Sequence, residues 1–231
     1  MKIPTYLAMT AAEFSVCPSL PPHVAWMACH FSPYGTALTN LPKKLPEDAL
    51  IIVNDRTPIY GHNSEQIAKQ LSDLLRRFQP HGILLDFQDR QNTQLHTLTK
   101  SLIAALPCPV CLPAAYAQEH DCPVFVAAPP VHLPLSEHLS PWKGREIWLE
   151  AAMEAEQITV TQTGTNTVII PYPTQDDGFS DGSLFCHYVT EATDDAIRFT
   201  LWRTKEDLDQ LLEAAATFGV TRAVGLWQEL G

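Results

Sequence analysis

Hydrophobic and polar positions follow two different periods along this chain, and the change of period divides its first half into strands and helices. Short apolar runs predict strands at residues 5–9, 23–29, 49–54, 82–85, 108–112 and 122–127. Leucine and isoleucine recur at helical spacing from Asn63 or Ser64 to about Phe78, and again over residues 93–106. Strands that alternate with helices in this way are typical of parallel βαβ units.

The middle of the chain has a less regular pattern. Residues 129–143 are rich in proline and histidine and predict a long loop, whereas residues 145–152 fit either a strand or a helix. Residues 157–162 and 166–171 flank Thr163-Gly164-Thr165, and this arrangement indicates a β-hairpin. We therefore expect an antiparallel insertion within an otherwise parallel architecture.

A polar segment and a strand–helix–strand unit complete the chain. Residues 171–183 include Asp176, Asp177 and Asp181 but lack the ligand spacing and the closing glutamate of an EF-hand, which favours a solvated loop over a calcium site. The remaining elements are strands at 184–190 and 196–202, a helix capped by Thr204 that ends near Phe218 before Gly219, and a strand at 223–229. A length of 231 residues fits one large α/β domain, spanning 1–231.

Composition restricts the classes of partner and cofactor. The formal net charge of −11, with acidic residues spread through the chain, argues against a nucleic-acid or anionic-membrane surface. The six cysteines lie mostly in strand-like runs, and a strand passes through the only C-x-x-C spacing, residues 108–111, so we expect free thiols and neither a metal nor another cofactor. With no signal-peptide pattern and no apolar run of membrane-spanning length, we expect a cytoplasmic protein.

Candidate chemical groups collect where the predicted strands end. Asp86 closes a buried strand, and Gln88 lies two residues later on the same side of the chain. Asp55 follows the third strand, Glu229 lies in the last strand, and Glu150 joins them if residues 145–152 form a strand. In parallel α/β architectures the carboxyl ends of the strands meet at one opening, so these side chains are candidates for a common site.

The stretch around Asp86 carries a family resemblance. It reads His81-Gly82-Ile83-Leu84-Leu85-Asp86-Phe87-Gln88, and it resembles the fourth-strand signature Asp-Gly-x-Asp-x-Asp-x-Glu of glycoside hydrolase family 18, the chitinase-like family. The glycine, the last aspartate and the aromatic residue match. His81, Leu84 and Gln88 replace the first aspartate, the second aspartate and the catalytic glutamate of that signature.

The C-terminal segment is similar to the end of the bacterial cell-wall hydrolases of this family. It has a strand, a capped helix, a glycine stop and a final strand with a tryptophan, Trp227. The resemblance covers roughly residues 49–113 and 184–231. Two family motifs are absent, because residues 53–56 read Val-Asn-Asp-Arg where the family has Ser-x-Gly-Gly, and no sixth-strand Met-x-Tyr-Asp is present.

The resemblance implies a reduced TIM-type (β/α)8 barrel with a small β-hairpin insertion before the last βαβ unit. It also implies substrate-assisted cleavage, in which a glutamate protonates the leaving oxygen and an aspartate orients the acetamide of the substrate. Asp86 matches the orienting position, and Trp227 matches the tryptophan that floors the sugar subsite. Gln88 stands at the general-acid position without a titratable proton. His30 and Tyr34, in the loop after the second strand, are candidates to line the opening.

Three functions remain open from the sequence. The first is a catalytically impaired barrel that binds an N-acetylhexosamine-containing glycan through Asp86, Gln88 and Trp227. The second is an active glycosidase whose general acid has moved to Glu229 or Asp55, or to Glu150. The third is a barrel without a sugar site that binds another protein. The sequence leaves the oligomeric state and the identity of the glycan undetermined.

Overall fold

The computed structural model describes residues 3–32, 34–56, 61–173 and 178–231. These residues form fourteen strands: β1 (Thr5–Met9), β2 (Val24–Phe31), β3 (Leu38–Thr39), β4 (Leu50–Asn54), β5 (Gly82–Asp86), β6 (Val110–Pro113), β7 (Val124–Val126), β8 (Ile147–Glu150), β9 (Ala155–Thr161), β10 (Gly164–Ile169), β11 (Phe179–Asp181), β12 (Cys186–Ala192), β13 (Ala196–Trp202) and β14 (Val220–Leu226). The same residues form seven α-helices: α1 (Ala11–Val16), α2 (Ser64–Phe78), α3 (Thr93–Ala105), α4 (Ala114–Ala117), α5 (Leu135–Leu139), α6 (Lys205–Ala215) and α7 (Trp227–Leu230).

Eight of the strands close into a parallel barrel. Strands β1, β2, β4, β5, β6, β7, β8 and β14 follow one another around the sheet, and β14 pairs in parallel with β1 to complete the ring. The short strand β3 adds to β2 in the antiparallel direction. The α/β barrel of the TIM type that the family resemblance implied is therefore confirmed.

Strand alternation divides the apolar side chains between two packed layers. Leu50, Ile52, Leu84, Cys111 and Trp148 belong to one buried cluster, which fills the inside of the barrel. Their neighbours along the strands point outward and pack against the helices, as Ile51 and Val53 do in the largest cluster. The predicted strands are buried on both faces for this reason.

The helical layer is thin, which lets a short chain complete the barrel. Only α2, α3 and α6 have more than ten residues, while α4 has four and α5 has five. Helix α5 corrects the prediction of a continuous loop at residues 129–143. It forms because Leu135 and Leu139, one helical turn apart, are both buried. None of the described helices is long and apolar enough to span a membrane.

The insertion lies between β8 and α6 and is larger than one hairpin. It is a separate antiparallel sheet in the order β10-β9-β13-β12-β11. The predicted hairpin is its β9–β10 pair, with the turn one residue earlier than expected, at Gln162 and Thr163. Part of the predicted 171–183 loop is strand β11, and Asp176 and Asp177 lie outside the described residues.

Polar contacts attach this insertion sheet to the barrel. The buried guanidinium of Arg203 donates hydrogen bonds to the carbonyl oxygens of Pro129 and Pro130. The Nδ1 atom of His132 lies 2.6 Å from the buried carboxylate of Glu156. A similar pair joins His187 of β12 to Asp207 of α6, 2.8 Å apart. These contacts fix the sheet beside the C-terminal end of the barrel strands.

The last strand of the chain differs from the one predicted at residues 223–229. Thr204 caps α6 with a capping box, and Gly219 adopts a left-handed φ of 91° after the helix, as expected. The last strand, however, begins at Val220 and ends at Leu226, so Trp227 and Glu229 lie in the short helix α7. The strand starts earlier because Val220 pairs with Ile147 at the opposite end of the barrel from the opening.

Gly82 provides a test of packing inside the barrel. A Cβ atom at this position would lie 2.8 Å from Cη2 of the fully buried Trp148 and 3.1 Å from the carbonyl oxygen of Pro109. We expect Gly82→Ala to lower the free energy of unfolding by about 1–3 kcal/mol, because the packed tryptophan has little room to move. Urea denaturation measures the change. Gly182→Ala, with no heavy atom within 4 Å of the added Cβ, is the matched control, and equal effects of the two changes would contradict this packing.

Candidate functional site

A cavity of about 480 Å³ opens at the C-terminal end of the barrel strands. Apolar side chains from inside the barrel form part of its wall, including Ile52, Leu84 and Val224. Charged and amide side chains also line it: Asp86, Gln88, Arg90, Gln118, Glu150 and Glu229. Most ligand pockets combine an apolar lining with a few convergent polar groups, and this cavity has that composition.

Asp86 and Gln88 form a hydrogen-bonded pair in this cavity. Strand alternation places Asp86 on the same side of β5 as Leu84, which belongs to the barrel interior. The side-chain Nε2 of Gln88 donates a hydrogen bond to Oδ1 of Asp86 at 2.8 Å. The pair therefore presents one carboxylate and one amide to the cavity, already oriented by each other.

The environment of Asp86 disfavours its charged form. Burial is the largest effect and raises the pKa of this carboxyl, and the neighbouring carboxylates of Glu150 and Asp55 raise it further. The hydrogen bond from Gln88 acts in the opposite direction. The net result is a pKa above the ordinary value for aspartate, because the effect of burial exceeds that of the hydrogen bond.

Asp55 anchors the loop that carries Gln88. Its Oδ1 accepts the backbone N–H of Gln88 at 2.8 Å, and its Oδ2 accepts the backbone N–H of Asp89, also at 2.8 Å. Asp55 lies at the same end of the barrel as Asp86 but is not among the residues that line the cavity. With both oxygens engaged by backbone donors, this carboxylate is placed to hold the loop in position.

Aromatic packing supports the same loop from below. Phe87 is buried between Phe31 and Tyr116, with ring centroids 5.7 and 5.5 Å away, respectively. The hydroxyl of Tyr116 donates a hydrogen bond to the carbonyl oxygen of Asp89. The side chain of Asn92 then caps α3. The packing of Phe87, the hydrogen bond from Tyr116 and the cap by Asn92 together fix the backbone around Gln88.

Two further carboxylates line the cavity, and each is partly engaged. An oxygen of Glu150, at the end of β8, accepts the backbone N–H of Ala128 at 3.1 Å. Glu229 accepts the backbone N–H of Met153 at 2.6 Å through Oε1. Each hydrogen bond leaves the other carboxylate oxygen without a partner among the described residues. Asp86, Glu150 and Glu229 thus meet at one opening, with Asp86 and Glu150 at the ends of strands and Glu229 in helix α7.

The other three predicted residues lie away from this cavity. Trp227, the first residue of α7, does not line the cavity and packs against a cluster that contains Met9 and Val24. His30 has its Nδ1 atom 3.1 Å from the carbonyl oxygen of Ala28, and Tyr34 is 72% exposed. The structure therefore does not bring Trp227, His30 and Tyr34 together with Asp86.

The cavity also contains residues that the sequence did not single out. Phe125 lies on a predicted strand, so the inward phase of that strand could have indicated it. Arg90 lies two residues after Gln88, in a segment without periodic signal. Gln118 ends the four-residue helix α4, which is too short to leave a pattern in the sequence.

Comparison with solved structures identifies several barrels with the same fold. The Bacillus cereus spore cortex-lytic enzyme SleL superposes with a TM-score of 0.59 at 8% identity, over 100% of this chain and 72% of that chain. A glutamate-to-glutamine mutant of the class V chitinase from Nicotiana tobaccum, in complex with NAG4, gives 0.60 at 9% identity, over 98% and 94%. A mutant of the GH18 chitinase from Cycas revoluta, in complex with (GlcNAc)4, gives 0.57 at 11% identity, over 96% and 94%.

Sequence comparison adds no closer relative. No protein-family model matches the chain, and no curated protein matches it significantly. At identities of 8–11%, the similarity to these structures establishes a shared fold and not a shared activity.

The role of Asp55 as an anchor predicts a graded loss of stability. Asp55→Ala leaves two backbone N–H groups without their acceptor, and we expect the free energy of unfolding to fall by about 1–3 kcal/mol. Asp55→Asn retains one acceptor oxygen and should lose less. Urea denaturation checks both variants. An alanine variant as stable as the wild type would contradict the anchoring role.

The raised pKa of Asp86 predicts a pH-dependent gain from removing its charge. At pH 7 the ionised carboxylate is less stable in the folded chain than in the unfolded chain, so Asp86→Asn should raise the free energy of unfolding. The asparagine Oδ1 can still accept the hydrogen bond from Gln88. As the pH falls through the raised folded-state pKa and then below the ordinary value of 3.8, Asp86 takes up a proton and the advantage of asparagine should shrink toward zero. Urea titrations at several pH values measure the difference, and an advantage that grows in acid would show that the sign is wrong.

Proposed function

We propose that the cavity of this barrel binds an N-acetylhexosamine-containing glycan, and that the chain is impaired as a substrate-assisted hydrolase. The observation that carries the proposal is the Asp86–Gln88 pair, a carboxylate and an amide in hydrogen-bond contact within the cavity. The amide occupies the place where substrate-assisted cleavage needs a titratable acid. Binding groups are therefore present, and the proton donor is replaced.

The chemistry of the two side chains explains this division. In substrate-assisted cleavage the acetamide oxygen attacks the anomeric carbon while an acid protonates the leaving oxygen. The carboxylate of Asp86 can accept a hydrogen bond from the acetamide N–H of a bound sugar. Gln88 can donate to and accept from sugar hydroxyls, but it has no proton to transfer near neutral pH.

Barrels of the same fold offer support by analogy. The Nicotiana tobaccum and Cycas revoluta structures both carry a glutamate-to-glutamine substitution and hold an N-acetylglucosamine tetramer. A glutamine in place of a glutamate is thus compatible with a bound sugar in those barrels. For this chain, we propose that Gln88 is a natural counterpart of such a substitution.

A second candidate is an active glycosidase with a relocated acid. It is favoured by the presence of Glu150 and Glu229 in the same cavity as Asp86, whose pKa is raised mainly by burial. Pairs of carboxyl groups on opposite sides of a sugar serve as acid and base, or as acid and nucleophile, in most glycosidases. Asp55 is a weaker candidate for this role because backbone N–H groups engage both of its oxygens.

The leading proposal predicts opposite behaviour of the wild type and one variant. The wild type should not cleave aryl N-acetylglucosaminides or chitooligosaccharides at a useful rate, since a missing general acid lowers the rate by about 10²–10⁴-fold. Gln88→Glu should restore measurable turnover, because its carboxyl lies beside the charge of Asp86, which raises its pKa. Gln118→Glu, which adds the same charge elsewhere in the cavity, is the matched control and should remain silent.

Other outcomes separate the alternatives. Robust wild-type turnover that survives Asp86→Asn would contradict the proposal, and its loss in Glu150→Gln or Glu229→Gln would identify the relocated acid. Calorimetric titration with N-acetylchitotetraose tests binding without turnover. If neither the wild type nor Gln88→Glu binds this tetramer, the sugar site is absent, and the barrel that binds another protein becomes the better account.

A further inference from the structure

Strand β10 forms an open edge of the insertion sheet. Within the described ranges it pairs with β9 on one side and is the terminal strand of the sheet on the other. All six of its residues are exposed, including Val168 at 43% and Ile169 at 76%. Strands that end a sheet in this way present unpaired backbone groups that can template another strand.

The hydrogen-bond pattern shows which residues face outward. The backbone N–H of Ile170 donates to the carbonyl oxygen of Ala155 on β9. Antiparallel strands direct the backbone groups of alternate residues to opposite sides. Counting back by alternation, Asn166 and Val168 bond to β9, so Thr165, Thr167 and Ile169 direct their N–H and C=O groups to the open edge.

This edge lacks the features that usually prevent pairing. Residues 157–173 contain no Asp, Glu, Lys, Arg or His, although the whole chain carries 26 acidic and 15 basic residues. The strand contains no proline, and its register with β9 is uninterrupted. The three residues whose backbone groups face the open edge are two threonines and one isoleucine. At the opposite edge, β11 has only three residues and ends in Asp181. Charge, proline and bulges commonly protect edges, and β10 has none of them.

We infer that β10 is a self-pairing edge, through which two copies of this chain form an antiparallel, two-fold symmetric dimer with a continuous ten-stranded sheet. A two-fold axis at Thr167 opposes this residue to its own copy and opposes Thr165 to Ile169 of the partner subunit. Each of these three outward pairs can exchange two hydrogen bonds, about six in all. Val168 and Ile169 become partly covered on opposite faces of the sheet.

A second copy fits this edge better than a foreign strand. Two-fold pairing opposes the residue at the axis, Thr167, to its own copy, so a charged residue there would meet a like charge, whereas β10 brings together only uncharged side chains. A foreign peptide that adds to an edge gains specificity from side-chain pockets, whereas all six residues of β10 are exposed and none of them lines the cavity at the barrel opening. The uncharged segment also lets two chains of net charge −11 approach each other.

Sedimentation velocity over a concentration series tests the dimer. We expect the full chain to dimerise with a dissociation constant on the order of 10–100 μM, because one strand pair makes a small interface. Thr167→Lys places two like charges at the axis, and Thr167→Pro removes an outward N–H while sparing the bonds to β9. Each should weaken dimerisation at least tenfold. Thr217→Lys, the same substitution at an exposed residue outside the sheet, should leave it unchanged.

Amide hydrogen exchange locates the dimer interface, and the use of two variants allows for a disturbed hairpin in one of them. Protection of Thr165, Thr167 and Ile169 should rise with protein concentration, while protection of Asn166 and Val168 stays constant. If Thr167→Pro disturbs the hairpin, Thr167→Lys still decides the outcome. A dimer that survives Thr167→Lys overturns the inference, since another surface then forms it. A wild type that stays monomeric up to about 500 μM also overturns the inference. The open edge would then be available to a strand of another protein.

Discussion

Closure of the barrel by the β1–β14 pairing is the constraint on which the rest of this structure depends. Once eight parallel strands form a ring, all of their carboxyl ends face one opening. Residues far apart in sequence, such as Asp86 and Glu229, then line the same cavity. The closed ring also leaves no open edge among its eight strands, so the antiparallel sheet between β8 and α6 carries the exposed edge of β10.

The order of barrel strands and long helices could be predicted from the sequence because each has a strong local cause. Apolar runs of four or five residues mark β4 and β5, while caps at Asn63 and Thr204 mark the starts of α2 and α6. Closure itself was not visible in periodicity and came from the family resemblance. Short elements such as α5 were missed because a single turn is decided by packing, here by the burial of Leu135 and Leu139.

Local sequence signals also predicted part of the candidate site. Alternation along β5 correctly placed Asp86 and Gln88 on one side, because strand phase is a local property. Trp227 was misplaced because the strand begins at Val220 and ends at Leu226, which turns the tryptophan away from the cavity. The anchoring contacts from Asp55 to the loop at Gln88 span more than thirty residues, and no sequence pattern encodes them.

Two sets of contacts position the carboxyl group of Asp86 and the loop that carries Gln88. Asp55, which does not line the cavity, and the aromatic packing around Phe87, which does, hold the backbone at Gln88, and Asp86 is oriented by the amide of Gln88. A crystal structure of the wild-type protein with bound N-acetylchitotetraose tests the central claim most directly. The account predicts an acetamide N–H of the intact tetramer within hydrogen-bond distance of the Asp86 carboxylate, with Gln88 contacting the adjoining sugar oxygen. A tetramer bound away from this cavity, or a cavity left empty at saturating tetramer, would contradict it.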